Sequence, residues 1–172
     1  MIHIYCGDGK GKTTAGMGLC LRAAGAGKKV LIYQFLKDNA SSERKILEHI
    51  PEVTLLKGPE TMKFLRHMSL EEKEALKQTY VDVLKRIGRK LEAKELSAEV
   101  IFLDEVLYAV SRGIVDETAV CHLLETGKDR EWILTGRYEG GRLWEAADYI
   151  SVIRKEKHPF DGGVAARKGI EY

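Results

Sequence analysis

The chain has 172 residues, enough for one domain that buries about 70% of its unfolded surface. Apolar residues make up 44% of the chain and charged residues 31%, which indicates a soluble globular protein. The net charge of +2 is too small to favour nucleic acid or a membrane surface as a partner, and no apolar run is long enough for a membrane span.

The chain start and the cysteines favour a cytoplasmic location. Met1 leads directly into a predicted strand, so we expect no signal peptide. Cys6, Cys20 and Cys121 are odd in number and lack Cys-x-x-Cys spacing. We interpret them as reduced, packed thiols, and we expect neither a zinc site nor a disulfide framework.

A glycine-rich loop follows the first predicted strand, and a helix is predicted to begin at about Thr13. Strand, loop and helix in this order are typical of a phosphate-binding loop. Glycines let successive N–H groups surround an anion, and the helix start adds further donors. We therefore predict nucleotide binding, with Lys12 on the phosphates and the Thr13 hydroxyl on their Mg²⁺. The loop reads Gly7-Asp8-Gly9-Lys10-Gly11-Lys12-Thr13-Thr14.

This loop departs from the usual Gly-x-x-x-x-Gly-Lys-Ser/Thr pattern. The residue five places before Gly11 is Cys6, so Gly7 comes one place late, and Lys10 is an extra lysine inside the loop. A Gly/Lys-rich surface turn is the alternative. The strand before the loop and an acidic strand end further along the chain favour phosphate binding.

The first helix is predicted over residues 13–26 and contains Gly16 and Gly18, each of which costs about 1 kcal/mol relative to alanine. We expect close packing of this helix on a sheet to be the reason. Residues 30–35 are a continuous apolar run, as expected of a strand that is covered on both faces.

The second strand ends in a polar loop over residues 36–41. Ligands of open α/β sheets bind at the carboxyl ends of strands, so Gln34 and Lys37 are candidate binding residues. A solvated loop is the alternative. A short helix near residues 42–49 and a third strand over residues 53–56 follow.

Residues 58–68 are irregular and rich in methionine and large apolar groups. Ser69 and Glu72 then form a capping-box pattern at the start of a helix of about seven turns. The apolar residues of that helix fall on one stripe: Leu76, Tyr80, Val83, Leu84, Ile87 and Leu91.

The fourth strand, over residues 99–105, is an apolar run that ends in Asp104 and Glu105. Acids at such a strand end reach Mg²⁺ directly or through water in phosphate-loop enzymes. The pattern is common by itself, but together with the loop at Gly7 it predicts a magnesium site. Which of the two acids binds the metal is left open.

The remaining elements continue the alternation of strands and helices. They are a helical stretch over 106–124 broken near Gly113, a strand over 132–135, a helix over 143–147, a strand over 149–153 and a basic tail over 155–172. We predict one α/β domain over residues 1–172, of P-loop NTPase-like (RecA-like) type, with a mostly parallel sheet and helices on both faces.

Five stretches resemble the ATP:corrinoid adenosyltransferases, also called cob(I)yrinic acid a,c-diamide adenosyltransferases. The resemblance covers nearly the whole chain except about residues 58–95. The C-terminal block is its most specific part. The stretches are the glycine loop, Gln34-Phe35 with Lys37, Leu103-Asp104-Glu105, Leu134-Thr135-Gly136-Arg137, and Lys157-His158-Pro159-Phe160-Asp161-x-Gly163-Val164-x-Ala166-x-x-Gly169-Ile170-Glu171-Tyr172.

The resemblance implies transfer of the 5′-deoxyadenosyl group of ATP to Co(I) of a corrinoid, with release of triphosphate. It also implies a homodimer, a reductase that donates electrons, and ATP lying in the loop in reverse of its usual direction. Lys10, Lys12 and Thr13 are the implied catalytic residues, and Thr13 with Asp104 or Glu105 would hold Mg²⁺. The implied nucleotide-binding residues are Gly7 to Thr14, Gln34, Lys37 and Arg137.

Members of this family place aromatic residues beneath the corrin, where they displace the lower axial ligand of cobalt. Phe64, flanked by Met62 and Met68, is the candidate here. Packing in the core or on a helix is the alternative role for Phe64.

Two other functions fit the same motifs. One is a small-molecule kinase in which Arg137 and Arg142 form a phosphate-binding lid. The other is a nucleotide-dependent switch that binds a partner without turnover.

Overall fold

Each strand of the sheet except the last is followed by at least one helix, and two consecutive helices separate the fourth strand from the fifth. The computed structural model describes residues 1–171, and Tyr172, the last residue of the C-terminal block that resembles the family, lies outside them. The elements are β1 (Ile2–Cys6), α1 (Lys12–Gly25), β2 (Val30–Gln34), α2 (Arg44–Leu47), β3 (Val53–Leu55), α3 (Leu70–Glu92), β4 (Val100–Asp104), α4 (Val106–Ser111), α5 (Glu117–Thr126), β5 (Glu131–Thr135), α6 (Arg142–Ala146) and β6 (Tyr149–Val152), with 3₁₀ turns at Leu65–His67 and Pro159–Gly162.

The six strands form one sheet in the order β3-β2-β4-β5-β1-β6, and every pair is parallel. Parallel neighbours require crossover connections, which the intervening helices supply. The predicted P-loop NTPase-like α/β fold is confirmed. All carboxyl ends lie at one edge, and β5 separates the end of β1 from the end of β4.

Helices cover both faces of the sheet. On one face, Met17 and Cys20 of α1 and Leu47 of α2 pack with Ile32 and Phe102. The other face is covered by α3, α4, α5 and α6. The predicted stripe on α3 is confirmed, because its buried residues are Leu76, Tyr80, Val83, Leu84, Ile87 and Leu91.

Gly16 brings α1 against β4. A Cβ built on Gly16 would lie 2.5 Å from the ring of Phe102, whereas a Cβ on Gly18 would meet nothing within 4 Å. Close packing is therefore confirmed for Gly16 and wrong for Gly18. Since Thr13 lies one helical turn before Gly16 and Asp104 lies two residues after Phe102, this contact sets the helix start beside the carboxyl end of β4.

Candidate active site

The glycine loop connects β1 to α1 over residues 7–11. Gly11 is the N-cap of α1 and has φ of 116°, in the left-handed region. Gly9 is buried and donates its N–H to Ile153 O at 2.8 Å. A Cβ on Gly9 would lie 2.7 Å from the Arg154 backbone. Glycine is therefore needed here because the chain that leaves β6 lies directly against the loop.

Successive backbone donors are available at the start of α1. Among residues 1–171, no backbone carbonyl accepts from the N–H groups of Lys10 to Thr14. Thr14 is exposed on the first turn of the helix. A run of free N–H groups at a helix start is a site for an anion such as phosphate.

Lys12 is a buried cation without a counterion. Its side chain is 9% exposed, Nζ donates to Gly9 O at 2.6 Å, and it has no ion-pair partner within residues 1–171. Burial lowers the pKa of Lys12, and the negative charge of Glu105 opposes that shift. Because an ammonium has three donors, two remain for an anion in the loop.

Asp104 is the centre of a hydrogen-bonded cluster and is fully buried. Its Oδ1 accepts from Thr13 Oγ1 at 2.8 Å and from Thr135 Oγ1 at 2.7 Å. Its Oδ2 accepts from Lys37 Nζ at 2.7 Å and from Gln34 Nε2 at 3.2 Å. The structure thus brings together on one carboxylate Thr13 from the glycine loop and both Gln34 and Lys37 from the end of β2.

The turn after β2 directs Lys37 back to this cluster. Leu36 has φ of 55°, which is strained for a residue with a side chain, and its N–H donates to the hydroxyl of Tyr80 at 2.7 Å. Burial acts to lower the pKa of Lys37, but the carboxylate of Asp104 beside it raises that pKa overall. Lys37 is therefore held in an ion pair with Asp104, and its side chain is not free in a solvated loop.

Glu105 occupies a second strained position. Its φ is 58°, and its N–H donates to Thr135 Oγ1 at 2.8 Å. Burial and the nearby charge of Asp104 raise the pKa of Glu105. The side chain lies close enough to Lys12 for each charge to act on the other.

The sequence analysis assigned no role to three members of the cluster, which are Thr135, Glu43 and Arg44. Thr135 bridges the carboxylate of Asp104 and the N–H of Glu105. Glu43 Oε1 accepts from Gln34 Nε2 at 2.9 Å, and Arg44 Nη1 donates to Gln34 Oε1 at 3.3 Å. Thr135 lies in one of the stretches that resemble the family, whereas Glu43 and Arg44, at the start of α2, lie in none of them.

The tail closes over the other side of the loop. Asp8 Oδ1 accepts from the N–H of Lys155 at 3.0 Å, and Lys10 Nζ lies 3.6 Å from Glu171 Oε1. Hydrogen bonds from Arg167 and the charge of Lys10 lower the pKa of Glu171 to about 2. Lys10 and Asp8 are thus tied to the C-terminal segment, while Lys12 and Thr13 face the sheet edge.

A recess of about 710 Å³ adjoins the first half of the loop. Tyr138 and Trp144 supply aromatic surface, and Asp8 and Lys155 supply charge. Arg137 is exposed just after β5, and its charge acts on Asp8, Lys12 and Glu105. The recess is large enough and mixed enough in polarity to take part of a nucleotide.

Phe64 is not part of the Asp104 cluster. It is 73% exposed, with the Arg66 guanidinium 5.3 Å from its ring centre and the His67 ring 6.1 Å away. The alternative that Phe64 packs in the core is wrong. Its neighbours Met62 and Met68 do pack against the core, which leaves Phe64 as the exposed aromatic of this segment.

Hard oxygen donors suited to Mg²⁺ lie beside the loop. Lys37 Nζ donates hydrogen bonds to Thr13 Oγ1 at 3.4 Å and to Asp104 Oδ2 at 2.7 Å, so these two oxygens already share one positive charge. Within residues 1–171, no group of three or more His, Cys, Asp or Glu side chains is placed to hold a metal. A nucleotide-bound Mg²⁺ needs fewer protein ligands because phosphates and water complete its shell.

None of the helices described is long and apolar enough to cross a membrane.

Comparison with known proteins identifies the family. The family model described as ATP:corrinoid adenosyltransferase BtuR/CobO/CobP matches residues 1–172. The chain belongs to this family. It is 34% identical over 175 residues to the corrinoid adenosyltransferase of Escherichia coli (strain K12), with 100% of this chain and 85% of that relative covered.

Two further relatives agree. The corrinoid adenosyltransferase CobA of Salmonella typhimurium is 33% identical over 175 residues, with the same coverage, 100% of this chain and 85% of that relative. The corrinoid adenosyltransferase of a Sinorhizobium species is 31% identical over 186 residues, with 100% and 80% covered. The family and the names of these relatives indicate a transferase, an ATP:corrinoid adenosyltransferase.

Proposed function

We propose that this chain transfers the 5′-deoxyadenosyl group of ATP to Co(I) of a corrinoid substrate and releases triphosphate. The observation that carries the proposal is a glycine loop with a buried Lys12 that has no counterion within residues 1–171, in a chain that belongs to this family over its whole length. Such a loop holds a polyphosphate.

In this reaction a bond forms between cobalt and C5′ while the bond between C5′ and the triphosphate oxygen breaks. The electron pair of the broken bond leaves with the triphosphate. Because Co(I) is itself a strong nucleophile, no general base is required. The protein's tasks are to position the two substrates and to offset the negative charge on the leaving group, and in this proposal Lys12, Lys10 and the loop N–H groups supply that positive charge.

The proposal includes Mg²⁺ held by Thr13 with Asp104 or Glu105. When bound, the ion would offset charge on the triphosphate. The hard oxygens on Thr13 and Asp104, and the ammonium they already share, support this assignment. ATP lying in reverse of its usual direction would leave C5′ open to the corrinoid, and Gln34, Lys37 and Arg137 would line its path.

Two partners complete the proposal. A reductase is required because cobalt must reach the Co(I) state, and a homodimer is supported by exposed apolar side chains on the tail. Phe160 is 73% exposed and Ile170 is 56% exposed. Phe64 is proposed to contact the corrin, for which its exposure leaves it available.

Product analysis tests the activity. The chain is incubated with ATP, Mg²⁺ and chemically reduced corrinoid, and the phosphate products are separated. Triphosphate together with an alkylated corrinoid is the expected result. ADP would indicate a kinase, and absence of any product would indicate a switch. The Lys12→Ala variant serves as the inactive control.

A further inference from the structure

Arg44 is buried, and within residues 1–171 no carboxylate forms an ion pair with it. It is 4% exposed, and its guanidinium donates from Nη1 to Gln34 Oε1 and from Nη2 to Leu56 O, both at 3.3 Å. Its Nε has no partner within residues 1–171. Burying a guanidinium against neutral acceptors is costly, so its position calls for a role beyond packing.

The side chain that Arg44 contacts can face either way. The amide of Gln34 has an oxygen that accepts and a nitrogen that donates, and the two ends have nearly the same shape. A guanidinium only donates, so Arg44 fixes the Gln34 oxygen on its own side. Glu43 Oε1 lies 2.9 Å from Gln34 Nε2 and only accepts when ionised, so it fixes the nitrogen end.

The consequence falls on Asp104. With its oxygen held by Arg44, Gln34 presents Nε2 to Asp104 Oδ2 at 3.2 Å. The opposite orientation would bring an amide oxygen against a buried carboxylate oxygen. Gln34 is 2% exposed, so water could not relieve that contact.

We propose that Arg44 is a positioning residue that acts through Gln34 to set Asp104 for the magnesium-nucleotide complex. This inference rests on the proposed magnesium site. Arg44 itself touches neither nucleotide nor metal in this scheme. It fixes the direction of one amide, and that amide fixes one carboxylate oxygen. Partners of this kind, one shell beyond the metal ligands, alter metal affinity when they are removed.

The test measures ATP binding by calorimetry over a series of Mg²⁺ concentrations, without corrinoid. We expect Arg44→Met to raise the Mg²⁺ concentration that gives half-maximal ATP binding by about ten-fold. Gln34→Ala should do the same. The variant with both substitutions should be no worse than Gln34→Ala, since the two residues act in series. Lys45→Met, an exposed neighbour on α2, is the matched control and should leave the Mg²⁺ dependence unchanged.

If Arg44 serves only to stabilise the fold, the expected result is different. Stability in urea would then fall while the Mg²⁺ midpoint stayed at the parent value, and that result overturns the proposal. Strictly additive effects of the two substitutions would overturn it as well. If Arg44→Met does not fold, Arg44→Lys takes its place in the same cycle, because it keeps the charge but loses the two-pronged contact.

The test of Arg44 can succeed or fail independently of the test of the proposed function. If the parent forms no triphosphate from ATP and corrinoid but binds ATP in a Mg²⁺-dependent way, the proposed function fails and the role of Arg44 is still decided by the cycle. If ATP binding by the parent does not depend on Mg²⁺, the role of Arg44 is overturned whatever the reaction.

Discussion

At the scale of single residues, the site is built on one buried carboxylate that receives four donors. Two hydroxyls hold Oδ1 of Asp104, and an ammonium and an amide hold Oδ2. Every donor is itself fixed by another contact or by its place in an element. The carboxylate therefore has one orientation, as a preorganised metal site requires.

Replacing Asp104 tests this arrangement. In Asp104→Asn, the amide nitrogen must face a donor that previously bonded an oxygen, so we expect a loss of about 1–3 kcal/mol of unfolding free energy. Mg²⁺-dependent ATP binding and turnover should fall with it. Urea unfolding and Mg²⁺ titration of activity measure the two effects.

Glu105→Gln is the matched comparison. Within residues 1–171 the carboxylate of Glu105 accepts no hydrogen bond, so the change should cost little stability while it weakens the Mg²⁺ dependence. If both amide variants respond to Mg²⁺ like the parent, the end of β4 is not the metal site.

Lys12 gives the second prediction at this scale. Lys12→Ala should lower turnover by about 100- to 1,000-fold, because loss of a charge that stabilises the leaving triphosphate costs several kcal/mol of barrier. The fold should survive, since the one hydrogen bond lost is local, to Gly9 O. Steady-state triphosphate release measures the effect.

Lys28→Ala, at an exposed ion pair with Glu99 beyond the end of α1, is its control and should keep parental turnover. Near-normal turnover by a folded Lys12→Ala protein would contradict the assignment of the loop.

At the scale of elements, the approach of α1 to β4 determines whether Thr13 can reach Asp104. The Phe102 ring fills the space where a side chain on residue 16 would stand, while residue 18 faces open space. One helix thus carries two glycines with opposite consequences.

This contrast gives a matched pair of variants. Gly16→Ala should lower unfolding free energy by about 1–3 kcal/mol through overpacking and weaken ATP binding by displacing Thr13. Gly18→Ala should raise unfolding free energy by about 0.5–1 kcal/mol, because alanine is the better helix former and meets no neighbour. Urea unfolding with parallel ATP titrations distinguishes them. Equal effects of the two substitutions would mean that α1 does not depend on close packing at Phe102.

At the scale of the whole molecule, the C-terminal segment lies against the glycine loop. Ile153 O and the N–H of Lys155 bond the loop early in this segment, and Glu171 reaches Lys10 near its end. A chain truncated after Glu156 keeps the first two contacts and loses the third. We expect it to bind ATP but to lose adenosyl transfer, as measured by product analysis.

Glu171→Gln in the full chain is the milder comparison and separates the ion pair from the rest of the segment. A truncated protein as active and as tightly associated as the full chain would show that residues 157–172 are dispensable.

The contacts of Glu171, chiefly its hydrogen bonds from Arg167 and to a smaller extent the charge of Lys10, predict a pH dependence. The pKa of Glu171 is lowered from 4.5 to about 2 in the folded chain, so its contribution is fully present above about pH 4.5 and is lost as the pH falls toward about 2. Amide relaxation by NMR over residues 155–171 should show a more mobile tail at the acid end of this window. Glu171→Gln should show that mobility near neutral pH, and a tail equally ordered in both proteins would contradict the role of Glu171.

The pattern of apolar and polar residues along the chain was enough to predict most of the strands and helices. The alternation of apolar runs with amphipathic stretches predicted each strand and helix to within two residues of its ends, apart from the break between α4 and α5. The capping box at Ser69 and Glu72 is confirmed, with hydrogen bonds of 2.9 Å and 3.1 Å. These features depend on neighbours a few residues apart, so the sequence alone determines them.

The site needed the tertiary structure where its members are distant in sequence. Thr135 reaches Asp104 because β5 is inserted between β1 and β4, and strand order is set by crossover packing, not by local pattern. Arg44 belongs to a helix of four residues, too short to show periodicity, and its role depends on an amide ten residues away across a turn. The sequence by itself identified the family and predicted a phosphate-binding loop and a metal site at the end of β4. Only packing decided which side chains hold Asp104, since that depends on how distant backbones approach one another.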